Sequence, residues 1–477
     1  MPVGSAPTAA SAPIRVGMIS LGCAKNLVDA EVMLGDIRSR GMEVTADATE
    51  ADVLIVNTCA FIDSAKEESI EAILDAHQQR GLFKGRQQKL IVSGCMSQRF
   101  ARELAAELPE VDAFMGLDQV GQAGQIVEAV LQRDSLQPGS PLNLVTPKSR
   151  YIPDYDTPRF RLTPAHYAFV KIAEGCNHPC SFCVIPQMRG RHRSRTIESI
   201  AAEVHRLSAE GVREFNLISQ DTTFFGMDLW AEKAGPRQPV DSRRGPTLSR
   251  LIERLDDLPD EFWVRLLYTH PAHWSEELIT VIARSRHVVP YVDMPLQHID
   301  GMMLEVMRRE TSREHIEELI SRLRAGIPGL TLRTTFIVGF PGETEAQFTA
   351  LLEFIARVRF ERLGIFLYSR EEGSRAAKMP DQVPVNVKKE RYRRAMSLQQ
   401  QIAREVAREQ VGRHMQVLVD QPLVARSKGD APEVDAKVIL DRPARVGEFL
   451  EVEVTGAQTY DLRARASAGA PARCLPV

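Results

Sequence analysis

Three thiols fall within eight residues in the stretch Gly175-Cys176-Asn177-His178-Pro179-Cys180-Ser181-Phe182-Cys183. A Cys-x-x-x-Cys-x-x-Cys spacing suits an iron–sulfur cluster with one iron free of protein, since a cluster held wholly by protein takes four thiolates. A zinc site completed by His178 or His192 is the other reading, although zinc thiols more often come as Cys-x-x-Cys pairs from separate places. A 4Fe–4S cluster on three thiolates leaves an iron able to chelate the amino and carboxylate groups of S-adenosylmethionine (SAM). An electron passed into the sulfonium would give methionine and a 5′-deoxyadenosyl radical, which removes hydrogen from an unactivated carbon.

A second set of thiols is spread along the chain. "LGC", "NTC" and "SGC" place Cys23, Cys59 and Cys95 directly after apolar runs that read as buried strands. Carboxyl ends of parallel strands share one edge of the sheet, where open α/β sheets bind ligands. The three thiols are therefore expected to converge, again leaving one iron open.

The elements that must position these groups follow from periodicity. Strands at Ile14–Ser20, Asp52–Asn57, Lys89–Ser93 and Asp112–Gly116 alternate with helices at Leu27–Arg40, Ala65–Gln79, Phe100–Leu108 and Gln119–Gln132, so residues 14–133 form an N-terminal parallel α/β domain. Residues 134–165, rich in Pro, Ser and Thr, read as a linker or wrapping segment, its Tyr and Arg residues packing on the next domain. A second α/β series occupies 166–386, with strands at Ala168–Glu174, Arg213–Ser219, Trp263–Tyr268, Tyr291–Pro295, Thr331–Val338 and Arg362–Leu367. Helices at Ile197–Ala209, Leu248–Leu258, Glu276–Ser285, Ser312–Arg324 and Glu345–Val358 intervene, giving six β/α units, short of the eight of a closed barrel. Asp228–Pro246 reads as a surface insertion and 387–410 as a basic helical connector. From 411 to 477, short segments at Met415–Asp420, Glu433–Leu440, Phe449–Thr455 and Leu462–Ala466 predict a small β-barrel.

Composition bounds the rest. Sixty Lys+Arg against 63 Asp+Glu make no general invitation to nucleic acid or to an anionic membrane. No apolar run approaches a membrane span, and residues 1–13 read as a disordered tail, not a signal peptide. Seven cysteines without a secretion signal argue against a disulfide framework and for the cytoplasm. Six follow the two patterns; Cys474 stands outside them as a free thiol.

Candidate SAM contacts sit where strand ends face the first cluster. They are Phe182 inside the loop, Gln220 after the second strand, and Gly339 and Glu343 in "IVGFPGET" after the fifth. The glycines of that stretch would let backbone approach a nucleoside.

The loop 175–183 resembles the signature of the radical-SAM superfamily, and the chain from Val16 onward resembles the methylthiotransferase family. Within it the RimO group, which modifies a ribosomal protein, is the best match. "SLGCAKNLVDAE", "VNTCAFIDSAKEESI", "EGCNHPCSFCVIPQMRG", "ISQDTT", "VDMPLQH", "YSREEGSRAAKMPDQVP" and "RSKGDAPEVDAKV" carry that likeness through nearly the whole chain. Ala24, where proline is common in the group, is a small departure. The resemblance implies an α/β N-terminal cluster domain, a radical-SAM partial (β/α)6 barrel and a C-terminal TRAM-like barrel. It implies one 4Fe–4S cluster on Cys176, Cys180 and Cys183 and a second on Cys23, Cys59 and Cys95, whose open iron carries the sulfur to be transferred. Two SAM molecules would serve, one methylating that sulfur and one supplying the radical. The product would be a methylthio group on the β-carbon of an aspartate in small-subunit ribosomal protein S-twelve, with an electron donor and a sulfur donor that no motif identifies.

Two alternatives keep the clusters: a MiaB-type tRNA adenosine methylthiotransferase and an iron–sulfur electron-transfer or scaffold protein. A third, an RNA-binding module with structural zinc, drops them. From Val411 onward nine Lys/Arg balance nine Asp/Glu, whereas an RNA-binding barrel is expected to be basic. A neutral barrel displaying Asp430, Glu433 and Asp435 is expected to bind a basic protein loop, making nucleic acid an unlikely direct substrate.

Overall fold

The computed structural model describes residues 12–82, 88–133 and 141–467. Residues 1–11 of the expected tail, and Cys474, lie outside them. The chain forms two compact units: residues up to Leu162 with Gln187–Arg189, and Thr163–Pro186 with Gly190 onward.

In the first unit, β1 (Arg15–Ser20), β2 (Glu43–Thr45), β3 (Val53–Thr58), β4 (Lys89–Gly94), β5 (Ala113–Phe114) and β6 (Leu142–Asn143) form a parallel sheet of order β2-β1-β3-β4-β5-β6. β3 is buried along its whole length, which its run Val-Leu-Ile-Val requires of a strand covered by helices on both faces. Val16, Ile55, Ile91 and Ala113 pack against Met33 and Ile37 of the helix Ala24–Ser39 and Val127 of the helix Ala123–Gln132. The 2-1-3 order makes the gap between β1 and β3 a topological switch point, the place where such sheets leave a crevice.

The wrapping segment packs on the first unit. Asp118 accepts from the amides of Arg150 and Tyr151 at 2.6 and 2.8 Å, and Glu31 takes the Arg159 Nε at 2.7 Å and the Leu162 amide at 2.7 Å. Gly35 lies so close to Pro158 that a Cβ there would fall 2.3 Å from its carbonyl oxygen. The third helix starts at Cys95, not Phe100, because Gly94, at φ +95°, lets β4 turn straight into it; Phe100 marks only a kink.

In the second unit, β7 (Tyr167–Lys171) is followed by β8 (Ala173–Glu174), which pairs antiparallel with β9 (Arg193–Ser194). β10 (Glu214–Ile218), β11 (Trp263–Leu266), β12 (Val288–Asp293), β13 (Thr331–Val338) and β14 (Arg362–Leu367) extend the sheet in sequential order from β7, all parallel. The helices expected between them are present, and a helix at Gly301–Val306 is added. Val170, Leu217, Leu266, Val292, Leu332 and Ile365 face those helices and form the core. The alternate residues, on the opposite face by the two-residue period, are polar: Tyr167, Glu214, Arg265, Tyr291, Arg333 and Arg362.

The C-terminal barrel covers that polar row. β15 (His414–Gln421), β16 (Val424–Ser427), β17 (Val438–Leu440), β18 (Phe449–Ala457) and β19 (Leu462–Ala466) close in the order β15-β16-β17-β19-β18. The strand expected at Glu433–Leu440 is only Val438–Leu440, and β16 was not foreseen. The end of β16 and the loop after it, residues 426–435, are instead gripped by every strand of the large sheet. Tyr167 donates to Glu433 at 2.7 Å, Glu214 pairs with Arg426 at 2.7 Å, and Arg265 donates to the Lys428 carbonyl at 2.7 Å. Tyr291 donates to Asp435 at 2.7 Å, Arg333 pairs with Asp435 at 3.5 Å, and Arg362 donates to Asp430 at 3.2 Å.

This corrects the display of acids expected for a substrate loop at Asp430 and Asp435, while Glu433 stays exposed as expected. Asp430 is 1% exposed, and the Asp435 and Glu433 carboxylates are bonded to the sheet. The Asp430 and Asp435 charges answer the partly buried Arg362 and Arg333, and Glu433 accepts from Tyr167.

Candidate cluster and cofactor centres

The loop 175–183 leaves the carboxyl end of β8, at the opposite end of the sheet from the barrel loop. Gly175 has φ +83°, and a Cβ there would stand 2.2 Å from the Arg191 carbonyl oxygen, so only glycine fits the turn. The Cys176 amide donates to the Gly190 carbonyl at 3.1 Å, Cys183 to the Cys180 carbonyl at 3.2 Å, and Ser181 to Met307 at 3.0 Å. Two donors aim at sulfur: the His178 amide to Cys176 Sγ, and Arg309 Nη1 to Cys180 Sγ, each at 3.5 Å.

His178, in the middle of the loop, is clasped from both sides. Its Nε2 lies 2.8 Å from Asp221 and its Nδ1 3.1 Å from Glu310. Burial opposes its charge, but the bonds to Asp221 and Glu310 win and raise its pKa to about 10. Asp221 also meets His273 Nδ1 at 3.0 Å and takes the amides of Thr223 and Phe224 at 3.0 and 3.2 Å. Despite its burial, bonds from His178 and His273 hold its carboxyl well below the usual range.

His178, Asp221, His270 and His273 offer ligand atoms within 4.8 Å of one another. His178 and His270, however, stack at 3.8 Å and 14°. An imidazole binds metal in its own plane, so two stacked rings do not share one ion; the four groups form a hydrogen-bonded clasp. With both ring nitrogens facing carboxylates, His178 is also not placed to complete a zinc site.

The three thiols fit a cluster on their chemistry. Burial pushes the Cys183 thiol up to about 12, with Cys180 adding to the shift. It raises Cys176 well above the ordinary thiol value, with Cys183 and Cys180 reinforcing it. Sulfurs that oppose each other's ionisation when bare are deprotonated outright by a coordinated cation.

The four candidate SAM contacts differ in what they touch. Phe182 packs edge-on to Phe340 at 6.5 Å, beside Met307 and Tyr368. Gln220 donates to Glu174 at 2.5 Å and leaves its carbonyl oxygen buried without a partner. Gly339 has φ +73°, and a Cβ there would come 2.3 Å from Lys388 Cγ, so it is needed for packing. Glu343 is turned into its own loop, where it takes the Gly339 amide, Arg391 at 2.8 Å and His298 at 3.3 Å. Sequence reading missed the buried pair Lys171–Glu174, at 2.7 Å, although Glu174 directly precedes Gly175. It also missed Arg309 and Glu310, which only the fold brings to the loop.

In the first unit, Cys23, Cys59 and Cys95 follow β1, β3 and β4, which are neighbours in the sheet. A Cβ at Gly22 would stand 2.9 Å from Cys59 Cβ and 3.1 Å from its sulfur, so glycine lets these two strand ends close up. Asn26 ties them, donating to Leu21 at 2.6 Å and Thr58 at 3.2 Å, while Asn57 donates back to the Asn26 carbonyl at 2.8 Å. Ser69 accepts from the Cys59 amide at 3.0 Å.

Burial raises Cys59, and the nearby Cys23 adds to the shift. It drives Cys95 to about 12 against the pull of Arg189. At Cys23 desolvation works the same way but is outweighed by Lys25, Arg189 and the local amides, leaving the thiol below its ordinary value. Three sulfurs close enough to influence one another's ionisation, one of them held below its ordinary value, again fit an iron cluster. Among the described residues no helix is long and apolar enough to cross a membrane.

Three family models match the chain: the uncharacterized protein family UPF0004 at 15–116, the radical SAM superfamily at 170–355 and the TRAM domain at 411–466. A ribosomal protein uS12 methylthiotransferase RimO of Opitutus terrae is 57% identical over 462 residues, 96% of this chain and 98% of that one. The enzyme of the same name from Akkermansia muciniphila is 50% identical over 455 residues, 95% of this chain and 100% of that one. Among solved structures, the radical SAM methyltransferase TsrM of Kitasatospora setae matches with a TM-score of 0.51 at 15% identity, over 75% of this chain and 73% of that one, a likeness of fold. With both thiol sets placed by the fold and full-length identity at this level, the chain belongs to the RimO family of radical-SAM methylthiotransferases.

Proposed function

We propose that this enzyme adds a methylthio group to the β-carbon of an aspartate in ribosomal protein uS12, in the cytoplasm, with Cys176, Cys180 and Cys183 holding one 4Fe–4S cluster and Cys23, Cys59 and Cys95 a second. The observation that carries the two-cluster reading is the pair of three-thiol sets, each at the carboxyl end of a parallel sheet and each with one guanidinium donating to a sulfur. The relatives named for uS12 support the substrate; Asp430 and Asp435 of the barrel loop do not, since the sheet occupies them. When bound, the clusters and SAM supply the radical and the sulfur.

The chain's own residues seat and shield these groups. Asp221 and Glu310 fix His178 and with it the loop between Cys176 and Cys180. Arg309 bridges Cys180 and the Pro295 carbonyl, the latter at 2.9 Å. Gln220, held by Glu174, has a carbonyl oxygen without a partner that would accept from a donor of SAM. Phe182 and Phe340 give an apolar wall that excludes water. Gly339 and Glu343 shape the turn that approaches the nucleoside; Glu343 acts there as a positioning residue.

Mass spectrometry of uS12 from cells with and without this gene tests the assignment. A methylthio addition on an aspartate should vanish with the gene; one that persists refutes it. Replacing Cys23, Cys59 and Cys95 by Ala should leave about four irons per chain instead of about eight.

A further inference from the structure

The helix that follows the first cluster loop carries a residue that belongs to the other thiol set. Arg189, six positions after Cys183, lies in the N-terminal unit. It is 2% exposed. Its Nη2 stands 3.2 Å from Cys95 Sγ, and its Nη1 3.0 Å from Asp29, itself buried on the helix after Cys23.

Arginine keeps its proton inside proteins, so this is a fixed positive charge. An unanswered buried charge is costly, and a carboxylate and a sulfur are among the groups that answer it here. The guanidinium acts on all three thiols of the set, whereas Lys25 acts on Cys23. A cluster on thiolates is anionic and gains a further negative charge on reduction. Net charge and hydrogen bonds to sulfur are what set such potentials, so a cation bonded to a ligand sulfur favours the reduced form.

We propose that Arg189 is the positioning residue of the N-terminal centre. Its bond to Cys95 seats the cluster and raises the cluster's reduction potential, with Asp29 as the counter-charge that holds the guanidinium and tempers its effect. This rests on the reading that Cys23, Cys59 and Cys95 hold a cluster, and the test separates the two.

The full chain with Cys176, Cys180 and Cys183 changed to Ala keeps only the N-terminal centre. After anaerobic reconstitution its iron is counted, and its reduction is titrated by absorbance and electron paramagnetic resonance. About four irons per chain sustain the underlying reading, and none refutes it. In that background R189Q should disfavour reduction at least tenfold, a fall of about 59 mV for one electron. D29N should shift the potential the other way, and R189K should fall between R189Q and the parent. An R189Q chain that loses its iron while R189K retains it supports the seating bond, and D29N still reads the charge. Potentials of R189Q and D29N that both match the parent, with iron retained, overturn the proposal.

Discussion

Changing Asp430 to Ala separates two roles for the barrel loop. Asp430 accepts from Arg362 and from Ser427 Oγ, the latter at 2.5 Å, and its side chain is 2% exposed against 20% for Arg362. Removing one partner of a buried ion pair costs about 3–5 kcal/mol. Arg362 keeps a bond to the Glu361 carbonyl at 2.9 Å and some water, which softens the loss. The expected cost is therefore below that range, about 2–3 kcal/mol. Since about 1.4 kcal/mol is tenfold, undocking of the barrel should become roughly 30- to 150-fold easier. Hydrogen exchange read by mass spectrometry on the full chain measures this opening directly, and peptides of β15 to β19 should lose protection by that factor. Asp430→Leu with Arg362→Met, which removes both charges, should recover most of it, because replacing a whole buried pair by apolar groups is often neutral. Unchanged protection in D430A, together with a raised KM for uS12, would refute the docking role and restore a substrate-facing one.

Three further outcomes are expected. Gly22→Ala should fold yet lose iron from the N-terminal set, since the new methyl meets Cys59 and φ is +90°; full iron in the single-cluster background argues against it. At Asp118, bonds from the Tyr151 and Arg150 amides overcome burial and hold the folded carboxyl below its unfolded value, so its contribution is present above that unfolded value, about 3.9, and fades as pH falls through the folded one. Asp118→Asn should therefore cost roughly 1–2 kcal/mol near neutral pH, with a gap in thermal midpoint to the parent that shrinks in acid; a constant gap contradicts this. Glu310→Gln should weaken the His178 clasp and lower SAM cleavage by roughly tenfold or more without changing barrel exchange, whereas equal loss of both would make Glu310 a general fold residue.

Cys23, Cys59, Cys95 and Cys176 were legible because each sits against a signal that survives in one dimension, a buried apolar run and then Gly-Cys or Thr-Cys, and Cys180 and Cys183 follow by their spacing from Cys176. Convergence of Cys23, Cys59 and Cys95 follows from parallel strands alone. That β1 and β3 are neighbours, with Cys23 and Cys59 at the switch point, is a property of strand order, which no local pattern holds. The barrel acids misled for a related reason. Asp430 in Gly-Asp-Ala-Pro looks like a solvated turn, and its partner Arg362 lies 68 positions earlier. Glu433–Leu440 alternates like a strand, yet its first half is held as a loop by Tyr167 and Tyr291. Arg189 was overlooked because its sequence neighbour is Cys183, whereas the sulfur it meets is Cys95.

The two ends of the large sheet explain why some conspicuous residues are structural and others chemical. Parallel strands put catalytic groups at their carboxyl ends and leave the amino ends to stability. A six-stranded sheet is open, so the polar row Tyr167, Glu214, Arg265, Tyr291, Arg333 and Arg362 needs partners that a closed barrel would supply from its own interior. Residues 426–435, the end of β16 and the loop after it, provide them in one continuous stretch, with Arg426 pairing Glu214 and also Asp420 at 2.7 Å. That is a physical reason for the appended barrel to carry a near-neutral charge: its acids and bases are matched against the sheet. Asp430 and Asp435 are thereby committed to the sheet, and the cluster loop, with His178, Gln220 and Arg309 around it, lies at the opposite end.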